Sequence, residues 1–213
     1  MPRRPDGNRR EEIVRAAVQV FKRRGFRAST LEDVARHLNV TRPALYHYIH
    51  DKQELLFQIY DQTMTTAMAE AERIVASSEE PHRRLRRLIR SYVELVGQHD
   101  MFTIFFQDKA QLKPEHFAAI TRRERAFVQL FETVYREGIR KGEFRPLAPT
   151  IVAFGSIGMC SWIYKWFDPQ GRLSLEQVAD LFGDVVRTGV LARGRAQRSS
   201  RRGGVNGDER QHR

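Results

Sequence analysis

The chain has 213 residues, of which 41% are hydrophobic and 30% are charged, and its formal net charge is +11. This length and balance allow a buried core and exclude a disordered or fibrous protein. The single cysteine, Cys160, excludes an intrachain disulfide, which suits the cytoplasm, and no apolar run reaches the ~20 residues of a membrane span.

The first predicted elements are a flexible basic arm over residues 1–8 and a helix that follows it. Four arginines and one aspartate stand among the first ten residues, and no apolar stretch there marks a signal peptide. Asn8 and Glu11 predict the start of the helix, and Gly25 predicts its end. Its apolar residues recur at helical spacing and predict a buried face: Ile13, Ala17, Val20 and Phe21.

The stretch 30–49 is typical of two short helices joined by a tight turn. Thr30 followed by Asp33 is a capping box, and Asn39 suits the left-handed conformation that ends a helix. Thr41 is the predicted N-cap of the second helix, and a proline follows in its first turn. The segment therefore predicts a helix-turn-helix.

The second helix of this motif carries a polar and aromatic outer side: Arg42, Ala44, Tyr46, His47 and Tyr48. A short helix of this kind fits the major groove of DNA, where guanidinium and hydroxyl groups hold phosphates and read base edges. A helical hairpin used only for packing is the alternative, but it does not require so many polar tips on one side. The motif predicts DNA binding.

The run from Ile13 through Leu56, with AAVQVFKRRGFRASTLEDVARHLNVTRPALYHYIHDKQELL, resembles the N-terminal domain of the TetR family of bacterial repressors. The resemblance covers about the first quarter of the chain. It implies that four residues hold the DNA backbone (Thr30, Tyr46, Tyr48 and Lys52) and that three face bases (Arg42, Ala44 and His47). With the cap Thr41, the expected DNA-contact set is Thr30, Thr41, Arg42, Ala44, Tyr46, His47, Tyr48 and Lys52.

A long fourth helix and an arginine-rich fifth helix are predicted next. Asp51 and Glu54 predict a capping box that opens the fourth helix, which extends to about Ala76. The fifth helix begins near His82 and carries an arginine cluster: Arg83, Arg84, Arg86, Arg87 and Arg90. We expect this cluster to be a solvated face, with a docking site for an acidic ligand tail as the alternative.

Four more helices complete an all-α prediction of about nine helices: 101–110, 114–142, 150–167 and 175–191. No β pattern and no internal repeat is visible. The expected domains are a helix-turn-helix DNA-binding domain at 9–55 and a helical ligand-binding and dimerisation domain at 56–192. A disordered basic tail is expected at 193–213, where seven arginines oppose two acidic residues.

The last two predicted helices indicate a homodimer. They carry apolar residues on opposing sides, and small residues leave room for close helix approach: Gly155, Ser156, Gly158 and Ser161. Two copies are expected to form a four-helix bundle. A dimer would let two helix-turn-helix motifs bind DNA half-sites about one helical turn apart.

A lipophilic effector is expected because many large side chains of the C-terminal half could line a cavity: Phe102, Phe105, Phe106, Phe127, Phe131, Met159, Trp162 and Trp166. For any one of them, ordinary core packing is the alternative. For Cys160, a buried and inert thiol is expected rather than a reactive sensor.

Three stretches of this half are similar to TetR-family regulators of lipid, aromatic-acid and steroid catabolism that respond to acyl-CoA thioesters: IFFQDKAQL, EGIRKGEFRP and WIYKWFDPQGRLSLEQVADLF. The similarity implies that the acyl part lies among the aromatic residues. It further implies that Arg122, Arg123, Arg125 or Lys165 meets the CoA phosphates. Salt bridges of these arginines with Glu124 and Asp108 are the alternative.

The sequence thus predicts a ligand-responsive transcriptional repressor that the effector releases from a palindromic operator. No glycine-rich phosphate loop, nucleophile elbow or zinc spacing is present, so neither catalysis, nor a metal, nor a resident cofactor is expected. One alternative is a multidrug-type regulator of lipophilic cations, for which Glu94, Asp108 and Glu132 are the candidate carboxylates. Another is an architectural DNA-binding protein that uses only its basic ends.

Overall fold

The computed structural model describes residues 6–98 and 100–191, with side chains at 9–97 and 100–191. The helices in these ranges are α1 (Asp6–Arg24), α2 (Leu31–His37), α3 (Arg42–Tyr46), α4 (Lys52–Val75), α5 (Pro81–Gln98), α6 (Asp100–Gln107), α7 (Pro114–Arg140), α8 (Pro149–Ser161), α9 (Ile163–Trp166) and α10 (Leu175–Val190). Within those ranges, β pairing is limited to one isolated bridge between Phe144 and Leu191. The all-α prediction is confirmed. The predicted tail 193–213 and residues 1–5 of the predicted arm lie outside the described residues.

The start of α1 differs from the sequence prediction. The helix begins at Asp6, two residues before the predicted cap Asn8, so residues 6–8 belong to the helix rather than to the arm. Aspartate and asparagine both favour helix starts, and their order alone does not decide between them. The helix ends where predicted, at Gly25, whose φ of +78° a residue with a Cβ rarely adopts.

Side-chain caps define α2 and α3. Thr30 Oγ1 accepts from the amide of Asp33 at 3.2 Å, and Asp33 Oδ2 accepts from the amide of Thr30 at 3.0 Å. Asn39 has the predicted left-handed conformation, with φ +54°. Thr41 Oγ1 accepts from the amide of Ala44 at 3.4 Å. The capping predicted for the helix-turn-helix is confirmed.

A compact apolar core beneath α3 fixes its direction. Its buried residues come from α1, α2, α3 and the residue Ile49 that follows α3: Ile13, Ala17, Phe21, Val34, Leu45 and Ile49. Because Leu45 and Ile49 are buried, the rest of the α3 segment is turned away from the core.

The long helix α4 joins this unit to the rest of the protein. It begins at Asp51, whose Oδ1 accepts from the amide of Glu54 at 2.7 Å. The carboxylate of Glu54 accepts from the amide of His50 at 2.8 Å, so the second half of the predicted capping box is displaced by one residue. The 24 residues of α4 make a rod about 36 Å long. Near its middle, the buried hydroxyl of Tyr60 donates to Phe105 O at 2.6 Å on α6.

Helix α5 is the centre of the C-terminal domain and packs against α4, α7, α8 and α10. The expectation of a solvated arginine face on α5 agrees with Arg83 and Arg86, which are exposed, and is wrong for Arg84. Arg84 is buried and pairs with Glu137 on α7 at 2.5 Å. Arg86 pairs with Asp180 on α10 at 3.1 Å, and Arg90 also reaches α10. Sequence periodicity cannot reveal these carboxylates on other helices, which bind three of the five arginines.

The predicted helix 150–167 is two helices, α8 and α9, separated at Trp162. Counted as one interrupted helix, they agree with the predicted total. The chain reaches α8 after α7 ends near Gly142, whose φ is +66°. The ring of Phe144 then packs so closely on Gly138 that a Cβ there would collide with it. This return places α8 beside α7 and α5.

Candidate DNA interface and ligand cavity

The exposed edge of α3 is the candidate DNA-reading surface. Arg42 opens the helix and its side chain is 63% exposed, and Ala44 and His47 are also exposed. Tyr46 and Tyr48 are half-buried, and each packs against the core. The structure brings these five predicted residues together on one short segment whose N-terminal end faces outward.

Arg42 is held by two neighbours in the free protein. Its Nε lies 2.8 Å from Glu32 Oε1 on α2, and its Nη2 donates to the hydroxyl of Tyr46 at 3.2 Å. The guanidinium carbon lies 5.1 Å from the centre of the Tyr46 ring. Because the Tyr46 hydroxyl accepts here, its own hydrogen remains available to a phosphate oxygen.

The two threonines of the predicted set differ in what they can offer to DNA. Thr30 Oγ1 donates to Asp33 Oδ2 at 3.0 Å, so its hydrogen is used within the cap. The amide of Thr30 does most to hold the pKa of Asp33 below its ordinary value, and Arg24 adds to this effect. Thr41 uses only its acceptor capacity in its cap hydrogen bond, which leaves a donor at the start of α3.

Lys52 has an intramolecular role that the resemblance did not imply. Its Nζ donates to the carbonyls of Phe26, Arg27 and Ser29 at 2.7, 3.2 and 2.8 Å, and it lies 4.4 Å from the centre of the Phe26 ring. An ammonium has three donors, and here all three are used. Burial lowers the pKa of this amine. Lys52 thus ties the start of α4 to the α1–α2 turn.

The C-terminal half of the chain contains a small cavity of about 60 Å³ between α4, α5 and α7. Its lining includes Ala67 and Ala71 on α4, Tyr92 on α5 and Phe127 on α7. Burial raises the pKa of Tyr92, whose hydroxyl lies 3.2 Å from Ser161 Oγ. The sequence signal that marks the cavity is the pair of alanines one turn apart, which leaves space beside larger side chains.

Five of the eight predicted pocket residues belong to one aromatic cluster, in which Tyr92 joins two groups of rings: Phe102, Phe105 and Phe106, and Phe127 and Phe131. The ring centre of Tyr92 lies 5.0 Å from that of Phe127. Of the five, only Phe127 lines the cavity itself, and the others pack behind it. The remaining three are elsewhere: Met159 is half-buried on α8, and Trp162 and Trp166 are 60% and 47% exposed. Trp162 stands between α8 and α9, and Trp166 lies on α9 with its ring centre 6.3 Å from that of Phe182.

The four basic residues expected near CoA phosphates are not brought together. Arg123 is engaged with Asp61 and donates to Thr65 Oγ1 at 2.8 Å, both on α4. Arg122, Arg125 and Lys165 are exposed. Neither Glu124 nor Asp108 pairs with an arginine as the alternative required, because Glu124 binds Lys109 and Asp108 has no such ion pair among the described residues.

The carboxylates considered for a lipophilic cation lie outside the cavity lining. Glu94 pairs with Arg90 at 2.9 Å, and Glu132 binds Thr150 at 2.6 Å and Arg136 at 2.8 Å. Burial raises the pKa of Asp108, an effect that nearby basic side chains partly offset. Two of the three are therefore already neutralised by neighbours.

An apolar face on α8 and α10 is uncovered in the protomer, and we refer to it as the α8–α10 face. Its large side chains are 52–70% exposed: Ile151, Phe154, Trp162, Leu181 and Val185. Gly155 and Gly158, on the same stripe of α8, have open space around them. Two of the small residues expected there point inward instead: Ser156 is buried and Ser161 contacts Tyr92.

Other chemistries find little support in the part of the chain that the structure describes. No group of three or more His, Cys, Asp or Glu side chains is placed to hold a metal ion, and no helix is long and apolar enough to cross a membrane. Cys160 is buried, and burial raises the pKa of its thiol to about 12. A thiol of this kind is not a reactive sensor.

Comparison with known proteins matches both halves of the chain. Residues 13–59 match the family "Bacterial regulatory proteins, tetR family", and residues 78–190 match "Tetracyclin repressor-like, C-terminal domain". The transcriptional repressor KstR2 of Mycobacterium tuberculosis is 27% identical over 190 residues, covering 88% of this chain and 95% of KstR2.

Two solved structures resemble this chain in both sequence and fold. A crystal structure of AibR in complex with isovaleryl coenzyme A and operator DNA is 32% identical, with a TM-score of 0.77, and covers 83% of this chain and 97% of AibR. The structure of the ketosteroid regulator KstR2 of Mycobacterium tuberculosis is 26% identical, with a TM-score of 0.78, over 87% and 96% of the two chains. These relatives are transcriptional regulators and not enzymes. The chain belongs to the TetR family of DNA-binding transcriptional regulators.

Proposed function

We propose that this protein is a repressor that binds a palindromic operator as a homodimer and leaves it when an acyl-CoA thioester binds. The observation that carries the proposal is a capped α3 whose exposed edge is supported from beneath by a dedicated core. The proposed domains are DNA binding at 6–55, since α1 begins at Asp6, and sensing with dimerisation at 56–192. The proposed location is the cytoplasm.

Within the DNA-binding domain, the α3 segment enters the major groove and reads bases with Arg42, Ala44 and His47. The free hydroxyl donors of Thr41 and Tyr46 meet phosphates. We propose a different part for Lys52, whose donors are already used: it holds the α1–α2 turn in place. The basic ends of the chain add sequence-independent attraction.

Dimerisation follows from the α8–α10 face. Exposed contiguous apolar surface is costly in water, and side chains such as Phe154 and Trp162 gain by being covered. The open space at Gly155 and Gly158 lets a second α8 approach closely. A twofold partner offers the same surface, so one face covers itself in a symmetric pair. The pair then presents two copies of α3 to two half-sites.

The effector class is supported by the aromatic cluster and by the AibR relative, whose crystal structure contains isovaleryl coenzyme A. The cavity of about 60 Å³ has room for only a few water molecules, so an acyl chain must widen it. Widening moves the aromatic residues behind Phe127 and the alanine stripe of α4. Arg122, Arg125 and Lys165 remain free to meet the phosphates, whereas Arg123 is occupied by α4.

The switch operates through contacts between the two domains. Lys22 on α1 pairs with Asp100 on α6 at 2.6 Å, next to the aromatic cluster. Lys113, just before α7, pairs with the α4 cap Asp51 at 2.6 Å. An effector that displaces α6 and α7 must shift these ties and, with them, the position of α3. The change in the free energy of operator binding equals the difference in effector binding free energy between the operator-binding and the released conformations, typically ~1–3 kcal/mol.

The test is selection of bound DNA from random sequence, followed by effector titration on the selected duplex. We expect a palindrome whose half-sites lie about one helical turn apart, and release by isovaleryl-CoA or a longer acyl-CoA. Selection of no discrete palindrome would contradict specific recognition. Release by a lipophilic cation, with no response to any acyl-CoA, would replace the effector class.

A further inference from the structure

Glu32 is an acidic side chain on a surface that must approach a polyanion. It lies in the first turn of α2, next to the N-terminal end of α3, and its side chain is 39% exposed. A carboxylate there interacts favourably with the N-terminus of α2, but it also repels phosphate. Its Oε1 lies 2.8 Å from Arg42 Nε, on the other helix of the motif.

The position of this contact on the guanidinium is informative. Glu32 meets the Nε edge, and the Tyr46 hydroxyl accepts from Nη2 at 3.2 Å. A guanidinium has five N–H donors, so these two contacts leave three donors, including both on Nη1. The side chain is thereby restrained from two sides while it keeps donors for a base edge.

From this geometry we propose that Glu32 is a positioning residue that sets the DNA sequence specificity of Arg42. This inference rests on the proposed function. An unrestrained arginine near DNA can swing to the nearest phosphate, which is a contact without sequence information. An arginine held in place can instead offer its fork to a guanine, the commonest specific contact in the major groove. Glu32 therefore weakens binding to all DNA and strengthens discrimination between sequences.

An ordinary surface ion pair is the competing explanation. Pairs as exposed as this one, with side chains 63% and 39% accessible, contribute little to stability. In that case, removal of Glu32 would change operator and random DNA binding by the same factor. The two explanations therefore differ in the ratio of specific to non-specific affinity.

The experiment measures the affinity of the full-length protein for the selected operator and for a random duplex, over a range of salt concentrations. For Glu32→Gln we expect the random-duplex affinity to rise several-fold and the specificity ratio to fall about tenfold, as when one base contact is lost. Glu32→Asp keeps the charge but shortens the side chain. We expect it to lower the ratio without raising random-duplex affinity.

Two controls make the result specific. Glu72→Gln removes one carboxylate from the exposed surface near the far end of α4 and should leave the ratio unchanged. In an Arg42→Ala background, Glu32→Gln should change the ratio less than about twofold, because the residue that it positions is gone. An unchanged ratio in Glu32→Gln, or an equal change without Arg42, would overturn the inference. If the wild-type protein discriminates no sequence at all, the proposed function itself fails.

Discussion

Replacing Phe154 with alanine should dissociate the proposed dimer. Phe154 is 57% exposed in the protomer, which for a phenylalanine of roughly 200 Å² corresponds to ~110 Å² of apolar surface. At ~25 cal/mol per Å², covering it contributes about 3 kcal/mol. The side chain occurs twice in a symmetric pair, so Phe154→Ala should weaken dimerisation by about 6 kcal/mol, or roughly 10⁴-fold. This is an upper value because it assumes complete coverage.

Sedimentation velocity over a nanomolar to micromolar range measures this change directly. The matched control is Phe117→Ala, because Phe117 is 43% exposed on α7, away from the α8–α10 face, and has Lys109 over its ring at 4.8 Å. We expect the control to remain a dimer with wild-type operator affinity and Phe154→Ala to lose both properties. If Phe154→Ala sediments as the wild type does, the α8–α10 face is not the interface and the twofold arrangement must be abandoned.

Four further predictions concern single positions. Ala71→Leu should fill the cavity, so that acyl-CoA no longer releases the protein from the operator while operator affinity is unchanged. Release at the wild-type acyl-CoA concentration in a DNA-binding assay would contradict the cavity assignment. Lys52→Met should lower the free energy of unfolding by about 1–3 kcal/mol, because it removes one donor from each of three carbonyls, although Phe26 O still accepts from the amide of Ser29. Urea titration measures this change. If Lys52→Met instead reduces the slope of log operator affinity against log salt concentration by about one unit, Lys52 contacts a phosphate. Cys160 should not react with thiol reagents at pH 8 until the protein unfolds, since a thiol pKa of about 12 leaves roughly one molecule in 10⁴ as thiolate. Rapid labelling of Cys160 in the native protein would contradict its burial. Burial favours the neutral form of Asp51, but the hydrogen bonds from Lys113 and the Glu54 amide outweigh it and lower the pKa. The stability that Asp51 contributes is therefore fully present above its unfolded-state pKa of about 3.9 and is lost as the pH falls through its lower folded-state pKa. The urea concentration at the unfolding midpoint should decrease below about pH 4, and it should decrease less in Asp51→Asn.

The DNA-binding half was predictable because its signals are local. Thr30, Asp33 and Thr41 form hydrogen bonds with amides within a few residues, and Asn39 adopts the left-handed conformation, as the sequence indicates. The same reasoning misplaced the start of α1, where two residues that favour helix starts, Asp6 and Asn8, stand two positions apart. Local rules identify a helix boundary well only where one candidate is present.

The sensor half was less predictable because its contacts join residues far apart in the chain. The partners of Arg84 and Arg90 lie on α7 and α10, so part of a helix side that periodicity marked as solvated forms ion pairs with other helices. Trp162 and Trp166 illustrate the converse. Their size indicated a buried pocket, but the direction of a side chain on an apolar helix depends on which neighbour covers which face.

The contacts of Lys52 also join residues that are far apart in the sequence. Its family resemblance implies a hold on DNA, yet three carbonyls of the α1–α2 turn satisfy its ammonium. No sequence spacing reveals this, because the residues it binds precede it by more than twenty positions and are joined through backbone atoms that every residue possesses.

Because α4 is long, a small tilt at one end of the helix produces a larger displacement at the other end. From the alanines at 67 and 71 to the cap at Asp51 the helix rises about 25 Å, at 1.5 Å per residue. A tilt of only about 5° at the cavity becomes ~2 Å of travel at the opposite end, and the two arms of a symmetric pair double the change between their tips. Hydrogen bonds to bases tolerate a few tenths of an ångström. Under the proposed function, widening the cavity by the width of a methyl group is therefore enough to change DNA binding at the opposite end of α4.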